Sequence, residues 1–534
     1  MGANMLTTKN YQDFQVLSET GSVVKTFSGF ANRCLPGDSV TSTYDGVELL
    51  KRNQQNPLVG TIHIQSKYLF GHTSRNVPIY LFFPYDQSYP PMRVGCSAKD
   101  GRNKIGLVMF ESWDKGEKYP RGILQQVLGD AGDPAVEELA LKYNYAPDWK
   151  KISKLTAELP PLYAYNRMGI PGFVFNIDPP GCKDIDDCIS VQKDTVGATI
   201  TISIADLTEI VPPGSELDRL ASKQGSTLYS SDGEAIAPML PRLISENYAS
   251  LLPEQERAGV TLMMKWTGES LEDFHFYQSR VINEASYTYE SIYENKEVCQ
   301  VLTEVASYLE GAPCTDSHKW IEHLMVFYNK KVAELFLRKQ TGLFRKLDTQ
   351  SVKRLEMKAA EYCLPSSEAV HAAFGNSHYT HATSPIRRYA DLLAQRYLVS
   401  HFDRYSKTEY LYEVPNTTIN FHTLNHNLKQ AARFGRDLCF LRAVSQSATG
   451  TVEGTLLDWN LSRKGYKLWV EVPDWNQIIT FHMKGVENEE ELILISPDEQ
   501  DEYCVKRDNP VHIKYYCDRG QPNWKKRMVF GITK

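Results

Sequence analysis

The sequence lacks the features of a membrane-spanning, secreted or zinc-ribbon protein. No apolar run approaches the roughly 18 residues of a membrane span, and Met1 to Asp13 contain no signal-peptide core. The ten cysteines are scattered from Cys34 to Cys517 without a CxxC pair, which argues against zinc ribbons and against a disulfide framework. We therefore expect a protein that is not secreted, has no membrane partner and resides in the cytoplasm or another reducing intracellular compartment.

The chain also lacks an excess of positive charge and any internal repeat. It has 59 Lys and Arg residues against 65 Asp and Glu residues, which gives a net charge of −6. This balance does not mark the chain as a nucleic-acid-binding protein. It does not exclude one either, because an enclosed basic channel can coexist with an acidic exterior. Composition alone leaves the function open.

The patterns that are present divide the chain into regions. A chain of 534 residues is too long for one hydrophobic core. Short alternating runs such as 59–64 and 79–83 predict one or two small β-barrels near the start. The period-two strand 199–204 and a helix over about 318–340 predict a mixed α/β centre. Alternation returns after residue 447 and predicts a third small barrel, so we expect a multidomain α+β fold.

The densest chemical signal is an acidic segment that follows a short apolar strand. Asp178, Asp184, Asp186 and Asp187 lie within ten positions, and four carboxylates so close repel one another unless a cation compensates them. Hard divalent cations prefer such oxygen ligands, and Mg²⁺ uses few carboxylates and leaves positions for phosphate. A solvated acidic loop is the alternative interpretation. A calcium loop of the EF-hand type is excluded, because Gly and Glu are missing at its sixth and twelfth positions.

A second signal is the segment 379–392. Ser384 and Pro385 resemble an N-cap and a first helical residue, which places Arg387 and Arg388 in the first helical turn. Unpaired backbone N–H groups, the helix dipole and two guanidinium groups together predict a phosphate-binding site. The alternatives are a capped helix with two solvated arginines, or an Arg387–Asp391 ion pair.

Taken together, these segments resemble a known family. Residues 172–445 look like the catalytic domain of the ribonuclease II, ribonuclease R and exosome-nuclease (RNB) family. The resemblance rests on ordered motifs at residues 177–187, 204–206, 214–218, 225–229, 238–241, 251–253 and 380–391. It implies a complete or partial cold-shock-like β-barrel over 1–56 and a second such barrel over 57–160. An RNB-type catalytic domain over 161–445 and a C-terminal OB-fold RNA-binding barrel over 446–534 would follow.

The resemblance also implies an activity and roles for the acidic segment. Members of the family hydrolyse single-stranded RNA from its 3′ end and release nucleoside 5′-monophosphates with Mg²⁺, for which Mn²⁺ is a possible substitute. Asp178 and Asp187 would be metal ligands, and Asp184 would support a metal directly or through water. Asp186 would orient the 3′ end or the attacking water, and Arg387 would steady the phosphate as charge develops.

RNA contacts are implied as well. Tyr229 matches the position of an aromatic residue that stacks on bases near the 3′ end, and Ser384, Arg387 and Arg388 would contact the RNA backbone. Single-stranded RNA is thus the expected partner, and we expect the protein to act as a monomer. The segment between Arg345 and Thr380 is shorter than in the family and lacks an evident second stacking aromatic, which predicts a more distributive enzyme.

Two alternatives stand beside this expectation. The first is a catalytically inactive RNB-fold protein that serves in RNA binding or assembly. The second is a DNA exonuclease with similar metal chemistry, which contacts to the RNA 2′-hydroxyl would distinguish. The presence of all four aspartates and of Arg387 favours the enzyme.

Overall fold

The computed structural model describes most of the chain, in two compact units. It describes residues 4–18, 21–28, 32–44, 46–53, 56–155, 167–349, 355, 357–402, 419–445, 449–488, 491–496, 500–518 and 520–533. The first unit consists of Met1–Asp148, Leu228–Ile236 and Lys429–Lys534, and the second consists of Trp149–Thr227 and Ala237–Leu428. Among the described residues, no helix is long and apolar enough to cross a membrane.

The first five strands of unit one form a five-stranded antiparallel sheet with the order β3-β2-β1-β4-β5. The strands are β1 (Asn4–Thr8), β2 (Asp13–Leu17), β3 (Val23–Ser28), β4 (Ser39–Ser42) and β5 (Val47–Lys51). Alternating apolar residues, among them Phe14 and Val16 of β2, point to a small buried core.

The next five strands close into a barrel with the order β10-β8-β7-β6-β9. They are β6 (Leu58–Ile62), β7 (Ile79–Pro84), β8 (Met92–Gly95), β9 (Lys104–Ser112) and β10 (Arg121–Asp130). Gly60 of β6 allows β7 to pack closely beside it, because a Cβ there would clash with the Phe83 carbonyl oxygen. The barrel is followed by α1 (Pro134–Tyr145), whose N-cap Asp133 accepts hydrogen bonds from the Ala135 and Val136 N–H groups. The closed barrel confirms the sequence-based prediction for this region.

A mixed seven-stranded sheet forms the centre of unit two, with the order β11-β18-β17-β14-β13-β12-β19. Its strands are β11 (Met168–Gly169), β12 (Phe173–Ile177), β13 (Asp187–Lys193), β14 (Ala198–Ala205), β17 (Glu256–Trp266), β18 (Leu271–Ile282) and β19 (Ala285–Tyr287). Two short pairs complete the strands of this part of the chain, β15 (Leu228–Tyr229) with β16 (Ala235–Ala237), and β20 (Phe344–Lys346) with β21 (Glu361–Cys363).

The predicted strand 199–204 is covered on both faces, although its sequence alternates. Ile200, Ile202 and Ile204 are fully buried, and so are Thr201 and Ser203 between them. The polar positions are satisfied by hydroxyl pairs across the sheet, since Thr201 bonds Ser190 of β13 at 2.7 Å and Ser203 bonds Thr261 of β17 at 2.8 Å. Buried hydroxyl groups with partners are tolerated in a core, so alternation here does not mean an exposed face.

Most helices of this part of the chain contribute buried residues to the core of unit two. They are α2 (Trp149–Lys154), α3 (Glu216–Gln224), α4 (Lys296–Glu310), α5 (Ser317–Lys339) and α6 (Tyr389–Ser400), and α7 (Phe421–Ser445) continues into unit one. The long predicted helix is confirmed as α5. It ends at Lys339 and is followed by the C-cap residue Gln340, which adopts a left-handed φ of 50°.

The C-terminal strands form a seven-stranded antiparallel sheet with the order β26-β25-β24-β23-β22-β27-β28. They are β22 (Thr449–Ser462), β23 (Gly465–Val472), β24 (Gln477–Glu487), β25 (Leu492–Ile495), β26 (Glu502–Val505), β27 (Asn509–Cys517) and β28 (Met528–Thr533). The predicted multidomain α+β fold is thus confirmed. The boundaries at residues 56, 160 and 445 stay a prediction, and the boundary at residue 160 lies outside the described residues.

Candidate active site

Two of the predicted aspartates lie at the same end of neighbouring strands. Asp178 directly follows β12, and Asp187 is the first residue of β13. The strands are antiparallel and pair Phe175 with Ile189, so the same register brings Asp187 opposite Ile177, beside Asp178. The Asp178 N–H donates to the Tyr287 carbonyl at 3.0 Å, which anchors this strand end to β19.

The loop between these strands carries Asp184 and Asp186 and is held by backbone hydrogen bonds. The Ile185 N–H donates to Ser250 Oγ at 2.9 Å, and the Ile185 carbonyl accepts from the Leu251 N–H at 3.1 Å. The Cys182 thiol donates to Asp184 Oδ1 at 3.7 Å. The aspartates therefore lie on a segment with defined backbone geometry, which argues against a simple solvated acidic loop.

Asp186 forms the link between the acidic segment and the arginine segment. Its Oδ1 accepts from the Ile386 N–H at 3.0 Å, and its Oδ2 accepts from Arg387 Nε at 3.0 Å. The Asp186 side chain is 5% exposed, whereas the Arg387 side chain is 43% exposed. The guanidinium group is therefore anchored at one edge while part of it faces solvent, where a phosphate can approach.

Burial raises the pKa of three of the aspartates, because the nearby positive charge does not offset it. It raises the pKa of Asp187 well above the usual range, and repulsion from Asp178 and Asp186 raises it further. The pKa of Asp178 is also raised by burial, despite hydrogen bonds from Asn176 and Cys182. Burial raises the pKa of Asp186 to about 7, although Arg387 opposes the shift. Such a donor set of crowded oxygen ligands fits a hard divalent cation, which would compensate the charges.

The aspartates do not form a closed cage. Among the described residues, no three of these carboxylates have ligand oxygens that all lie within 4.8 Å of one another. An ion held by few carboxylates, with water and phosphate in its other positions, agrees with this open arrangement. The three-ligand set Asp178, Asp184 and Asp187 stays a prediction.

The prediction for Ser384 as a helix N-cap is wrong. Helix α6 begins at Tyr389 and is preceded by Arg388 in an extended conformation, without a side-chain cap. Ser384 Oγ instead accepts from Arg387 Nη2 at 2.9 Å and from Arg388 Nη2 at 3.1 Å. The Arg387 carbonyl accepts from the Thr227 N–H at 2.9 Å, and this pairing holds the chain extended. Because both arginines precede the helix, the expected phosphate site in its first turn is not formed.

The two arginines have different partners. Arg388 Nη2 pairs with Asp391 Oδ1 at 2.8 Å, and Asp391 is fully buried. The Arg387–Asp391 pair that the sequence left open is therefore replaced by Arg388–Asp391, while Arg387 pairs with Asp186. An RNA-binding role for Arg388 and Ser384 stays a prediction.

Tyr229 and the aspartates belong to different units. Tyr229 is half-buried in the short strand β15, within the segment that groups with unit one. The aspartates and Arg387 all belong to unit two. Stacking of Tyr229 on RNA bases stays a prediction.

Two residues near the site, Tyr289 and Cys182, were not predicted from the sequence. Tyr289 lies near Asp178 and Asp187, and its pKa is raised to about 12 by burial and by these carboxylates. Its ring stacks on His318 with a centroid distance of 3.8 Å. Cys182 also lies beside the carboxylates, in contact with Asp184. Tyr289 is 102 positions from Asp187, and only the pairing of β19 with β12 brings it near.

Comparison with known proteins agrees with this geometry. Residues 171–309 and 349–403 match the model of the RNB domain, and residues 79–146 match the Dis3-like cold-shock domain 2. Two parts of the chain thus match the RNB domain and a cold-shock domain, and the predicted resemblance to the RNB family is confirmed.

Two sequence relatives of the chain are described as exonucleases. The chain is 25% identical to DIS3-like exonuclease 2 of Caenorhabditis elegans over 470 residues, which cover 64% of this chain and 55% of that protein. It is 23% identical to the exosome complex exonuclease RRP44 homolog A of Arabidopsis thaliana, covering 67% of this chain and 49% of that protein. The chain therefore spans about half the length of these curated relatives.

Solved structures share the fold over nearly the whole chain. RNase R of Mycoplasma genitalium, in complex with ribose-methylated single-stranded RNA, superposes with a TM-score of 0.72 at 18% identity and covers 99% of this chain and 100% of that one. Yeast Ssd1, described as a pseudonuclease, superposes with a TM-score of 0.63 at 15% identity, covering 96% of this chain and 81% of that one. At such identities the likeness shows the fold, with its RNB and OB-type parts.

Proposed function

We propose that this protein is an exoribonuclease that hydrolyses single-stranded RNA in the 3′-to-5′ direction to nucleoside 5′-monophosphates. The observation that carries the proposal is the convergence of Asp178 and Asp187 at adjacent strand ends, beside the Asp186–Arg387 pair. The names of the sequence relatives point to the same reaction class, and a solved neighbour is bound to single-stranded RNA.

The aspartates divide into two roles in this proposal. Asp178 and Asp187 hold a divalent cation, with support from Asp184 directly or through water, and Mg²⁺ is the cation that this oxygen set favours, with Mn²⁺ as a substitute. A cation held there would supply positive charge that lowers the pKa of a water molecule and offsets charge on the phosphate. Asp186 orients the attacking water or the 3′-terminal nucleotide, because its position is set by Ile386 and Arg387.

The charged side chains and the cation would then promote hydrolysis of the last phosphodiester bond of the RNA. The water oxygen attacks phosphorus, the bond from phosphorus to the 3′ oxygen breaks, and that oxygen leaves as the new 3′-hydroxyl of the shortened strand. The released nucleotide retains the phosphate at its 5′ position. Arg387 stabilises the negative charge that builds on the phosphate oxygens, and its partly exposed side chain suits that role.

RNA binding and cellular context complete the proposal. Tyr229 stacks on a base, and Arg387, Arg388 and Ser384 contact the RNA backbone. The ten cysteines are present as thiols rather than as disulfides, which suits a reducing compartment such as the cytoplasm. We expect the protein to be active as a monomer.

An inactive RNA-binding protein is the second candidate function. The fold alone does not distinguish an active nuclease from an inactive RNA-binding protein, because yeast Ssd1, which is described as a pseudonuclease, shares it. The side chains favour the enzyme, because four aspartates and an anchored arginine remain at the expected positions. An inactive protein has no need for buried carboxylates with raised pKa values, which weaken the folded state.

The decisive experiment compares 3′-labelled and 5′-labelled single-stranded RNA with and without Mg²⁺. We expect nucleoside 5′-monophosphate to be released first from the 3′ label, only with Mg²⁺ or Mn²⁺, and to cease in excess EDTA. The same sequence made of DNA serves as the control for the sugar. Binding of the RNA without any cleavage under all metal conditions would support the inactive protein, and full activity in EDTA would contradict the carboxylate site.

A further inference from the structure

A mixed cluster of sulfur, nitrogen and oxygen side chains lies where α4 turns into α5. Glu310 is the last residue of α4, Cys314 lies in the turn, and His323 lies in the second turn of α5. These three residues fall in the stretch 310–348, between the two segments that match the RNB model. They are therefore outside the pattern that carries the nuclease chemistry.

The three ligand atoms have the spacing of a metal site. Glu310, Cys314 and His323 each offer one atom within 4.8 Å of the other two, and His323 Nε2 lies 3.5 Å from Glu310 Oε2. That distance is long for a hydrogen bond. It equals, within a few tenths of an ångström, the roughly 3.4 Å between two N or O ligands on one tetrahedral zinc ion with bonds of about 2.0–2.1 Å.

One nitrogen atom of the cluster is buried without a hydrogen-bond partner among the described residues. His323 Nε2 is buried and has no hydrogen-bond partner among the described residues. A buried polar nitrogen without a partner costs free energy of about 1–3 kcal/mol, so its retention calls for an explanation. A metal ion bound at this nitrogen removes that cost.

The turn is pre-organised by contacts that do not use the ligand atoms. The Cys314 carbonyl accepts from Trp320 Nε1 at 3.0 Å, and the Cys314 N–H donates to Ser307 Oγ at 2.9 Å. Lys319 Nζ holds Glu310 Oε1 at 3.1 Å, which leaves Oε2 directed towards His323. Fixed ligands bind a metal with little loss of conformational entropy.

We propose that Glu310, Cys314 and His323 bind a zinc ion that joins the end of α4 to α5, with water in the fourth position. A thiolate, an imidazole and a carboxylate suit zinc, whereas magnesium prefers oxygen ligands alone. Burial raises the pKa of the Cys314 thiol, and Glu310 raises it further. Zinc binding therefore releases a proton from Cys314, and the affinity falls as the pH is lowered.

The test uses Co²⁺ as a spectroscopic probe of the full-length chain in excess Mg²⁺, which occupies the oxygen sites. Thiolate coordination gives an intense charge-transfer band in the near ultraviolet, and tetrahedral geometry gives visible bands. We expect both sets of bands in the wild-type chain, their loss in Cys314→Ser, and their displacement by an equivalent of Zn²⁺. His323→Gln should lower the affinity for Co²⁺ at least about tenfold, since even a hydrogen-bond partner of a ligand is worth that much.

Two other cysteines provide matched controls. Cys504 donates to Glu491 at 2.9 Å, and Lys506 pairs with the same glutamate at 2.6 Å, so this trio resembles Cys314, Glu310 and Lys319 without the histidine. Cys182 is the thiol beside the catalytic aspartates. Cys504→Ser and Cys182→Ser should both retain the charge-transfer band.

The outcomes are distinct. Retention of the band in Cys314→Ser, or its loss in Cys182→Ser, would assign the metal to another thiol and overturn the proposal. Absence of the band in the wild-type chain would overturn it as well. If Cys314→Ser does not fold, as judged by circular dichroism, the affinity of His323→Gln decides. An unchanged affinity in that variant contradicts the site.

Discussion

Two aspartate sites at one end of the central sheet have opposite electrostatics. Asp206 follows β14 and is fully buried, yet its pKa is lowered, because Arg167, Thr208 and Gln278 more than offset the effect of burial. Arg167 Nη1 lies 2.7 Å from Asp206 Oδ2, and Gln278 Nε2 lies 2.8 Å from the same oxygen. Asp187 begins the neighbouring strand β13, and its pKa is raised by burial and by nearby carboxylates.

The comparison separates a structural carboxylate from functional ones. Asp206 has an arginine whose side chain is 2% exposed, so the pair is inaccessible to a ligand. Asp186 pairs with Arg387, whose side chain is 43% exposed, while the same arginine acts on Asp178 and Asp187 too weakly to offset burial, so the pKa of both stays raised. Uncompensated negative charge at a site lowers the stability of the fold but favours the binding of a cation. Five predictions test this distinction.

Asp186→Asn should have the largest effect and abolish cleavage. The substitution removes the charge that orients the reacting groups but leaves the backbone contacts to RNA, so the dissociation constant for RNA should stay nearly unchanged. Rates of nucleotide release and RNA binding in filter assays measure the two effects. Asp194→Asn is the matched control, because Asp194 accepts only from the Val196 and Gly197 N–H groups in an exposed turn. Cleavage by Asp186→Asn at the wild-type rate would refute the assigned role.

Asp206→Asn should instead damage stability. It leaves Arg167 buried with Glu209 as its remaining carboxylate at 3.1 Å. Breaking a buried ion pair costs about 3–5 kcal/mol, and we expect about 3 kcal/mol because Glu209 remains. Urea denaturation measures the free energy of unfolding, and the folded fraction should still cleave RNA. Loss of activity without loss of stability would place Asp206 in the catalytic machinery.

Arg387→Ala should lower the cleavage rate by about 100-fold to 1000-fold, which is the loss of about 3 kcal/mol typical of one removed donor to a developing oxyanion. Arg387→Lys should recover part of the rate, because it restores the positive charge without the planar donor geometry. Single-turnover kinetics with saturating protein measure the chemical step. An effect confined to RNA affinity would make Arg387 a binding residue only.

The stability of the metal-free protein should fall as the pH rises. At pH values below the ordinary carboxyl pKa, the folded and unfolded states both hold the proton of Asp187. Between that value and the raised pKa, the folded protein keeps a proton that the unfolded chain has released, so each such proton costs about 1.4 kcal/mol per pH unit.

Asp187→Asn should flatten this dependence, and Mg²⁺ should oppose it. Thermal unfolding at pH 5 and pH 8, in EDTA and in Mg²⁺, measures the change. Asp206 predicts the reverse sign, because its lowered pKa stabilises the folded state above the ordinary carboxyl pKa and this contribution is lost on acidification. Equal pH profiles for the wild-type chain and Asp187→Asn in EDTA would contradict the raised pKa.

The smallest expected effect concerns the grip on RNA. The family resemblance predicts that the segment between Arg345 and Thr380 lacks one stacking aromatic, a contact worth about 1–3 kcal/mol, and its absence increases dissociation about tenfold or more per step. Excess unlabelled RNA added after binding should therefore leave a ladder of partly shortened products. Complete degradation of the bound strand despite this trap would show that other residues hold it.

Much of the fold and part of the site were predictable from local sequence. Apolar alternation located the barrel strands, and both ends of α5 were predicted to within one position. The acidic segment was recognised because its four aspartates are close in the chain. In contrast, the start of α6 was misplaced by four residues, because Ser384 binds two guanidinium groups and the Thr227 N–H binds the Arg387 carbonyl, with Arg388 extended before the helix.

Local sequence determined which residue types stand where, namely the carboxylates after an apolar strand and the arginines before a helix. Only the tertiary structure decided which carboxylate is compensated, because the partners are distant in sequence. Arg167 lies 39 positions from Asp206, and Arg387 lies 201 positions from Asp186. Burial and charge pairing depend on what packs around a side chain in three dimensions, so a lowered pKa at Asp206 and a raised one at Asp187 emerge only when the sheet assembles.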